Sequence, residues 1–119
     1  HQEVDAHRLA AAQEAARAAE ALIVLKGDDT IVTDGTRTAV NTLSAPALAT
    51  AGSGDVLSGV IAAFVARGLD PFVAACAAVI GHARAGNAAA ARVGTAESVI
   101  ATDVIDAVPR GIRPDGPVE

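Results

Sequence analysis

The sequence predicts an α/β fold built from one buried strand, a β-hairpin and a set of flanking C-terminal helices. Three observations carry that expectation. The run Leu22–Leu25 is short, apolar and β-favouring, as suits a strand covered on both faces. The stretch "DTIVTDGTRTAV" places β-favouring residues on either side of the turn dipeptide Asp34-Gly35. Most of the remaining chain is alanine-rich, with capping residues where helices should begin.

Taken in order, "DAHRLAAAQEAARAAE" (Asp5 to Glu20) consists of helix formers with Asp5 as N-cap. Its apolar positions are mostly alanine, so this helix should lie on a surface. The strand Leu22–Leu25 follows, then hairpin strands near Thr30–Thr33 and Thr38–Val40. "NTLSAPALATAGSG" is a loop of small residues, Pro46 and two glycines. A helix is expected from Asp55 to Arg67, stopping at Gly68. Asp70-Pro71 supplies an N-cap and a first-turn proline for the next helix, which ends near Gly94 with a bend at Gly81 or Gly86. Thr102 or Asp103 caps a last short helix, ending at Val108 before Pro109 and a Pro/Gly-rich tail. No internal repeat or interdomain linker is visible.

At 119 residues the chain makes at most one domain. Roughly a quarter of it is alanine and only 2% is aromatic, so the core must come from closely packed Ala, Val, Ile and Leu. A net charge of -5 argues against nucleic-acid or anionic-membrane partners. No apolar run reaches the length of a membrane span and no signal peptide is visible. The single cysteine, Cys76, rules out an intrachain disulfide and reads as a small buried apolar residue. There is no methionine, not even at position 1, so the expectation is a piece of something larger.

The Asp55–Arg67 helix points the same way. Val56, Leu57, Val60, Ile61, Phe64 and Val65 are separated only by Ser58, Gly59 and alanines. A helix apolar nearly all round needs cover on most sides. A missing N-terminal segment or a second copy, as in a homo-oligomer, is therefore expected to supply it.

Chemistry concentrates ahead of that helix, in Gly52-Ser53-Gly54-Asp55. This is not a P-loop, because Gly54 is followed by Asp55 rather than by Lys and Ser/Thr. It is not a dinucleotide fingerprint either, since position 57 is leucine and a loop precedes Gly52. Gly52 and Gly54 let backbone approach a ligand with no Cβ in the way. The N–H groups of Gly54, Asp55 and Val56 are expected as free donors at a positive helix end, suited to phosphate. Asp55 then reads in two ways: a helix cap, or a base accepting a proton from a substrate hydroxyl.

Lys26 is the only lysine, and it follows the buried strand in "KGDDT". That segment offers a cation, an approachable backbone at Gly27 and the Thr30 hydroxyl, at a strand end where α/β folds gather ligands. Asp28 and Asp29 would repel phosphate and are expected to point to solvent. His82, in "VIGHARAG", is the one histidine in a strongly apolar context and reads as a packed helix residue before a catalytic one.

Three blocks together resemble a known family: "IVLKGDDTIV", the long stretch "NTLSAPALATAGSGDVLSGVIAAFVARGLDPFVAACAAVIGHARAG", and "VGTAESVIATDVIDAVP". They are similar, in order and spacing, to the C-terminal part of the ADP-dependent NAD(P)H-hydrate dehydratases, ribokinase-like enzymes that repair coenzyme. G-x-G-D alone would indicate only the wider ribokinase-like group. The resemblance implies that residues 1–119 are the C-terminal portion of one such domain.

It also implies a function. The family is a nucleotide-repair lyase that dehydrates 6-hydroxylated NADH or NADPH (NADHX, NADPHX) at the expense of ADP. By resemblance, Asp55 is the base towards the hydrate hydroxyl, and Gly52, Ser53 and Gly54 receive the transferring phosphoryl group. Lys26, Gly27, Asp28, Asp29 and Thr30 form the nucleotide-binding segment. Mg²⁺ is expected with the nucleotide, although no metal-ligand cluster is visible, and the location implied is the cytoplasm. The alternatives are a ribokinase-like kinase for a vitamin precursor or sugar, and a non-catalytic nucleotide-binding fragment.

Overall fold

The computed structural model describes residues 5–113. Helix α1 (Ala6–Ala19) is followed by strands β1 (Ile23–Leu25), β2 (Thr30–Thr33) and β3 (Thr38–Asn41). Helices α2 (Ser53–Ala66), α3 (Pro71–Val93) and α4 (Ala101–Gly111) complete the chain, with 3₁₀ turns at Pro46–Leu48 and Ala96–Ser98. The α/β class expected from the sequence is present. No helix among the described residues is long and apolar enough to cross a membrane.

The caps explain where α1 and α3 begin. Asp5 accepts a hydrogen bond from the His7 N–H at 2.8 Å, and Asp70 accepts one from the Val73 N–H at 3.2 Å ahead of Pro71. α1 buries only Ala12 and Ala16, the narrow face its alanines allow, and ends at Glu20 in a left-handed conformation.

The sheet is antiparallel in the order β1-β2-β3, with Val24 opposite Val32 and Val32 opposite Ala39. Val24 and Val32 pack with Leu57 of α2 and Ala75, Ala78 and Val79 of α3. Ile31 and Thr33 point to the other face, where α1 lies. The Thr33 hydroxyl is buried but satisfied, donating to the Arg37 carbonyl and accepting from the Gly35 N–H, both at 3.0 Å.

β1 corrects an expectation. All three of its residues are half-buried rather than covered on both faces. It is an outer strand, and among the described residues no strand pairs with its second edge. The hairpin loop also runs over four residues, Asp34–Arg37, instead of turning on two.

α3 runs unbroken through Gly81 and Gly86, so neither glycine bends it. They serve close approach instead. A Cβ on Gly86 would stand 2.8 Å from the Leu48 side chain, and one on Gly81 would stand 2.8 Å from Ile112 Cγ2. A second apolar cluster joins Ala85 and Ala89 of α3 to Val104 and Ala107 of α4, Val99 and Ala47.

α4 also departs from expectation. Its cap position is Ile100, and Asp103 is the third residue of the helix, accepting from the Ile100 N–H at 2.9 Å. The helix passes Pro109 to end at Gly111. A proline removes one donor and crowds one carbonyl, but here the last turn is pressed against α3 at Gly81, which holds it helical.

Candidate functional site

Between the β1–β2 loop, the β3–α2 loop and α3 lies a cavity of about 1220 Å³. All five residues from Lys26 to Thr30 line it, as do Asn41 and Ser44 from across the opening and His82 from α3.

The β1–β2 loop is strapped by a residue that sequence reasoning overlooked. Arg8 of α1 reaches over it, donating to the Lys26 and Asp29 carbonyls at 3.4 Å. Gly27 leaves room for that side chain: a Cβ there would stand 2.7 Å from Arg8 Nη2 and make the guanidinium shift. The only signal in the sequence is a lone cation in an otherwise alanine-rich turn. Asp28 is exposed, as expected. Asp29 is not: it is 7% exposed, a correction to the expectation that both carboxylates point to solvent. The tight reversal between β1 and β2 folds it inward, with the Arg8 guanidinium beside its carbonyl.

The β3–α2 loop is pinned at several points. Asn87 of α3 donates to the Ser44 carbonyl at 3.0 Å, and the Ser53 hydroxyl donates to the Leu48 carbonyl at 2.6 Å. Ser53 is therefore buried and holds the loop, with its hydroxyl turned away from solvent. Gly52 has φ of +88°, and a Cβ there would come within 3.1 Å of Ala101 Cβ. Only glycine meets both conditions without strain.

The start of α2 settles how Asp55 relates to the helix. The N-cap is Gly52 and the first helical residue is Ser53, two positions earlier than expected. Asp55 stands in the first turn, exposed, and no side chain caps this end. The reading of Asp55 as a cap is thus overturned. The free donors are also fewer than expected. Asp55 and Val56 N–H both donate to the Gly52 carbonyl, at 3.1 and 3.2 Å, and Ser53 N–H donates to Thr50 at 3.3 Å. Of the first-turn N–H groups, that of Gly54 is left without a backbone acceptor among the described residues.

Lys26 closes the arrangement. Its Nζ lies 3.2 Å from where a Gly54 Cβ would be, so the ammonium rests on the open face of the α2 N-terminus. A cation and a positive helix end do not attract one another; together they form a place for an anion. His82 belongs to the same neighbourhood. It is 3% exposed, and among the described residues its Nε2 has no hydrogen-bond partner. Burial pushes its pKa down, the Lys26 charge pushes it further, and the Ser53 backbone opposes them. The two lowering effects favour the neutral ring. Cys76, by contrast, is half-buried against the sheet, and burial raises its thiol pKa, so it takes no part here.

The scaffold is α/β, with a lysine-bearing strand end set against a G-x-G-D helix start. The family described as NAD(P)H-hydrate dehydratase matches residues 2–110, and the chain belongs to that family, whose fold is ribokinase-like. Among relatives, the chain is 41% identical over 106 residues to the bifunctional NAD(P)H-hydrate repair enzyme Nnr of Pyrobaculum aerophilum, covering 89% of this chain and 21% of that protein. It is 38% identical over 92 residues to the ADP-dependent (S)-NAD(P)H-hydrate dehydratase of Cenarchaeum symbiosum, covering 77% of this chain and 31% of the relative. The protein of the same name from Neisseria meningitidis is 38% identical over 106 residues, covering 88% and 36%. The chain thus spans about a fifth to a third of the length of these relatives.

Proposed function

We propose that this chain carries the nucleotide site and the catalytic base of an ADP-dependent NAD(P)H-hydrate dehydratase. The observation that carries the reading is the meeting of the Lys26 ammonium with the Gly54 end of α2, beside a cavity lined by the whole Lys26–Thr30 segment. Two relatives named as ADP-dependent support ADP as co-substrate. In this reading Lys26, Gly27, Asp28, Asp29 and Thr30 hold the nucleotide. The Gly52-Ser53-Gly54 backbone, through the open Gly54 N–H, receives the transferring phosphoryl group. Asp55 takes the proton from the 6-hydroxyl of NADHX or NADPHX.

The chemistry then balances in two steps. The hydroxyl oxygen bonds to the terminal phosphorus of ADP as the bond to the AMP oxygen breaks. The carbon–oxygen bond of the resulting phosphate ester breaks next, a proton leaves the neighbouring ring carbon, and NADH or NADPH is restored with AMP and phosphate as by-products. Phosphate is a far better leaving group than hydroxide, which explains a kinase-like site in a lyase. A Mg²⁺ ion usually travels with nucleotide phosphates. Among the described residues no three His, Cys, Asp or Glu side chains cluster for an ion. The residues present do not form a metal cage, and no step here runs through one.

Partners follow from the surface. Val60, Ile61 and Phe64 of α2 are only half-buried, and β1 keeps an unpaired edge among the described residues. These support cover by a further polypeptide segment or a second copy; the cytoplasmic location is part of the proposal and rests on the coenzyme substrates alone.

The test is turnover by the full-length protein supplied with ADP and NADHX or NADPHX. The expected result is return of the near-ultraviolet absorbance of reduced nicotinamide, with one AMP formed per coenzyme restored. Stable phosphorylation of an added alcohol without that return would replace the reading with a small-molecule kinase. ADP binding with neither reaction would leave a nucleotide-binding fragment.

A further inference from the structure

Arg8 bridges the two ends of the β1–β2 loop. Lys26 is the residue after β1 and Asp29 the residue before β2, and both offer their carbonyls to one guanidinium. Nη2 donates to each of them and Nη1 donates to Asp29 again, all at 3.4 Å. Each bond is long, but a planar, permanently charged fork holds both acceptors at once. A peptide plane carries its N–H on the edge opposite its C=O. Fixing the Lys26 carbonyl therefore fixes the direction of the Gly27 N–H, for which no acceptor stands among the described residues. Gly27 needs no left-handed backbone, so its missing side chain serves space alone, with a Cβ falling 2.7 Å from Arg8 Nη2 and 3.2 Å from Cζ.

We propose that Arg8 is a positioning residue of the nucleotide site: it holds the Lys26–Thr30 loop by its carbonyls in the form that receives the nucleotide, and Gly27 admits it. The assignment rests on the nucleotide site proposed above and gives α1 a role in it. A loop already ordered when ligand arrives loses less freedom on binding. The same helix supplies an internal control. Arg17 Nε donates to the Gly35 carbonyl at 3.0 Å, strapping the hairpin loop in a similar way. Among the described residues, Arg8 and Lys26–Thr30 line the cavity, whereas Arg17 and Gly35 do not.

The experiment uses the full-length protein and reads melting temperature, ADP affinity and, without ligand, the order parameter of the Gly27 amide. Arg8→Ala should bind ADP about 10-fold more weakly, the scale of a lost contact with a charged group. Its Gly27 order parameter should fall from about 0.85 to below about 0.6. Arg17→Ala should keep wild-type ADP affinity, whatever its melting temperature. Arg8→Lys keeps the charge without the fork and should remain weakened. Gly27→Ala should weaken ADP binding by itself but add little to Arg8→Ala, because it acts by displacing the guanidinium. Gly27→Ala also carries the test where Arg8→Ala fails to fold.

Wild-type ADP affinity in Arg8→Ala overturns the proposal. So does full affinity in Arg8→Lys, or a weakened Arg8→Ala whose Gly27 amide stays rigid, since either makes Arg8 a direct contact of the nucleotide. Additive losses in the double variant would place the Gly27 Cβ against the ligand and break the coupling through Arg8. Wild type that binds no ADP removes the nucleotide site itself, and the ligand-free order parameter keeps that outcome distinct from failure of the Arg8 strap.

Discussion

Lys26 Nζ stands 3.2 Å from the point that a Gly54 Cβ would occupy, so the end of one strand and the start of one helix share a single small space. Gly54 is helical and has no left-handed requirement, so alanine fits its backbone but crowds the ammonium. Gly54→Ala should therefore keep or slightly raise stability, by up to about 1 kcal/mol from helix propensity. ADP affinity should fall by about 10-fold as the charge-assisted contact is displaced. Calorimetric titration and thermal melting of the same samples check both halves. Wild-type ADP affinity in Gly54→Ala would show that Lys26 does not work from this position.

A second pair of glycines separates packing from propensity. A Cβ on Gly111 would stand 2.9 Å from the Ala85 nitrogen and 3.1 Å from the Gly81 carbonyl carbon, and would press on the Gly81 oxygen. These are backbone atoms that cannot rotate aside. Gly111→Ala should destabilise by about 1–3 kcal/mol, the range for overpacking. Gly59, inside α2, has nothing within 4 Å of its Cβ position among the described residues. Gly59→Ala should stabilise by about 0.5–1 kcal/mol. Denaturant melts of the two variants should move in opposite directions; movement in the same direction would contradict the α3–α4 contact at Gly111.

The contrast shows what could be read from sequence. Caps at Asp5 and Asp70-Pro71 were legible because capping is chemistry between neighbours a few residues apart. The class of β1 was legible from its apolar run, but its half-exposure was not, since such a run reports a strand without counting the strands beside it. Pro109 suggested an end to α4 that the contact with α3 overrides. At the site, KGDDT and GSGD declared themselves by residue type. Arg8 and His82 did not, because a cation or an imidazole in an alanine-rich helix looks the same whether it faces solvent, core or ligand. Only the folded chain brings Arg8 over the Lys26 carbonyl and His82 beside Ser53.

The hairpin loop carries a pH dependence of definite sign. Asp34 Oδ1 accepts from the Arg37 N–H at 2.7 Å and the Thr36 N–H at 2.9 Å. These bonds, the Arg37 one foremost, hold its pKa at about 2 instead of the ordinary 3.8, with partial burial opposing and the Arg37 side chain assisting. Between those values the unfolded chain binds more protons than the folded one, so stability rises with pH there. The contribution is complete above 3.8 and is lost as pH falls towards 2. Acid melts should show this loss in wild type and a flatter profile for Asp34→Asn over the same window. A carboxyl titration midpoint for Asp34 near 3.8 would contradict it.

Asp55 supports the sharpest test. Its carboxylate makes no capping bond, since Gly52 occupies the cap and no side chain closes that end. It is exposed in the first turn of α2 and follows Gly54, the residue against which the Lys26 ammonium rests. Its only structural contribution is a favourable interaction with the helix dipole, worth about 0.3–1 kcal/mol. Asp55→Asn should therefore lower stability by no more than that. If Asp55 is the base, the same change removes the proton acceptor while keeping size and shape, and hydrate repair should slow by about 10²–10⁴-fold. ADP affinity should hold or rise slightly, because a negative charge near the phosphates has gone. Steady-state repair and ADP titration of the full-length wild type and Asp55→Asn, run side by side, separate the possibilities. A variant that repairs hydrate at the wild-type rate would leave Asp55 with the dipole alone. A variant that loses ADP affinity and rate together would make Asp55 a binding residue instead of a base. Loss of rate with affinity intact is the outcome the proposed role requires, because among the described residues the carboxylate makes no capping bond.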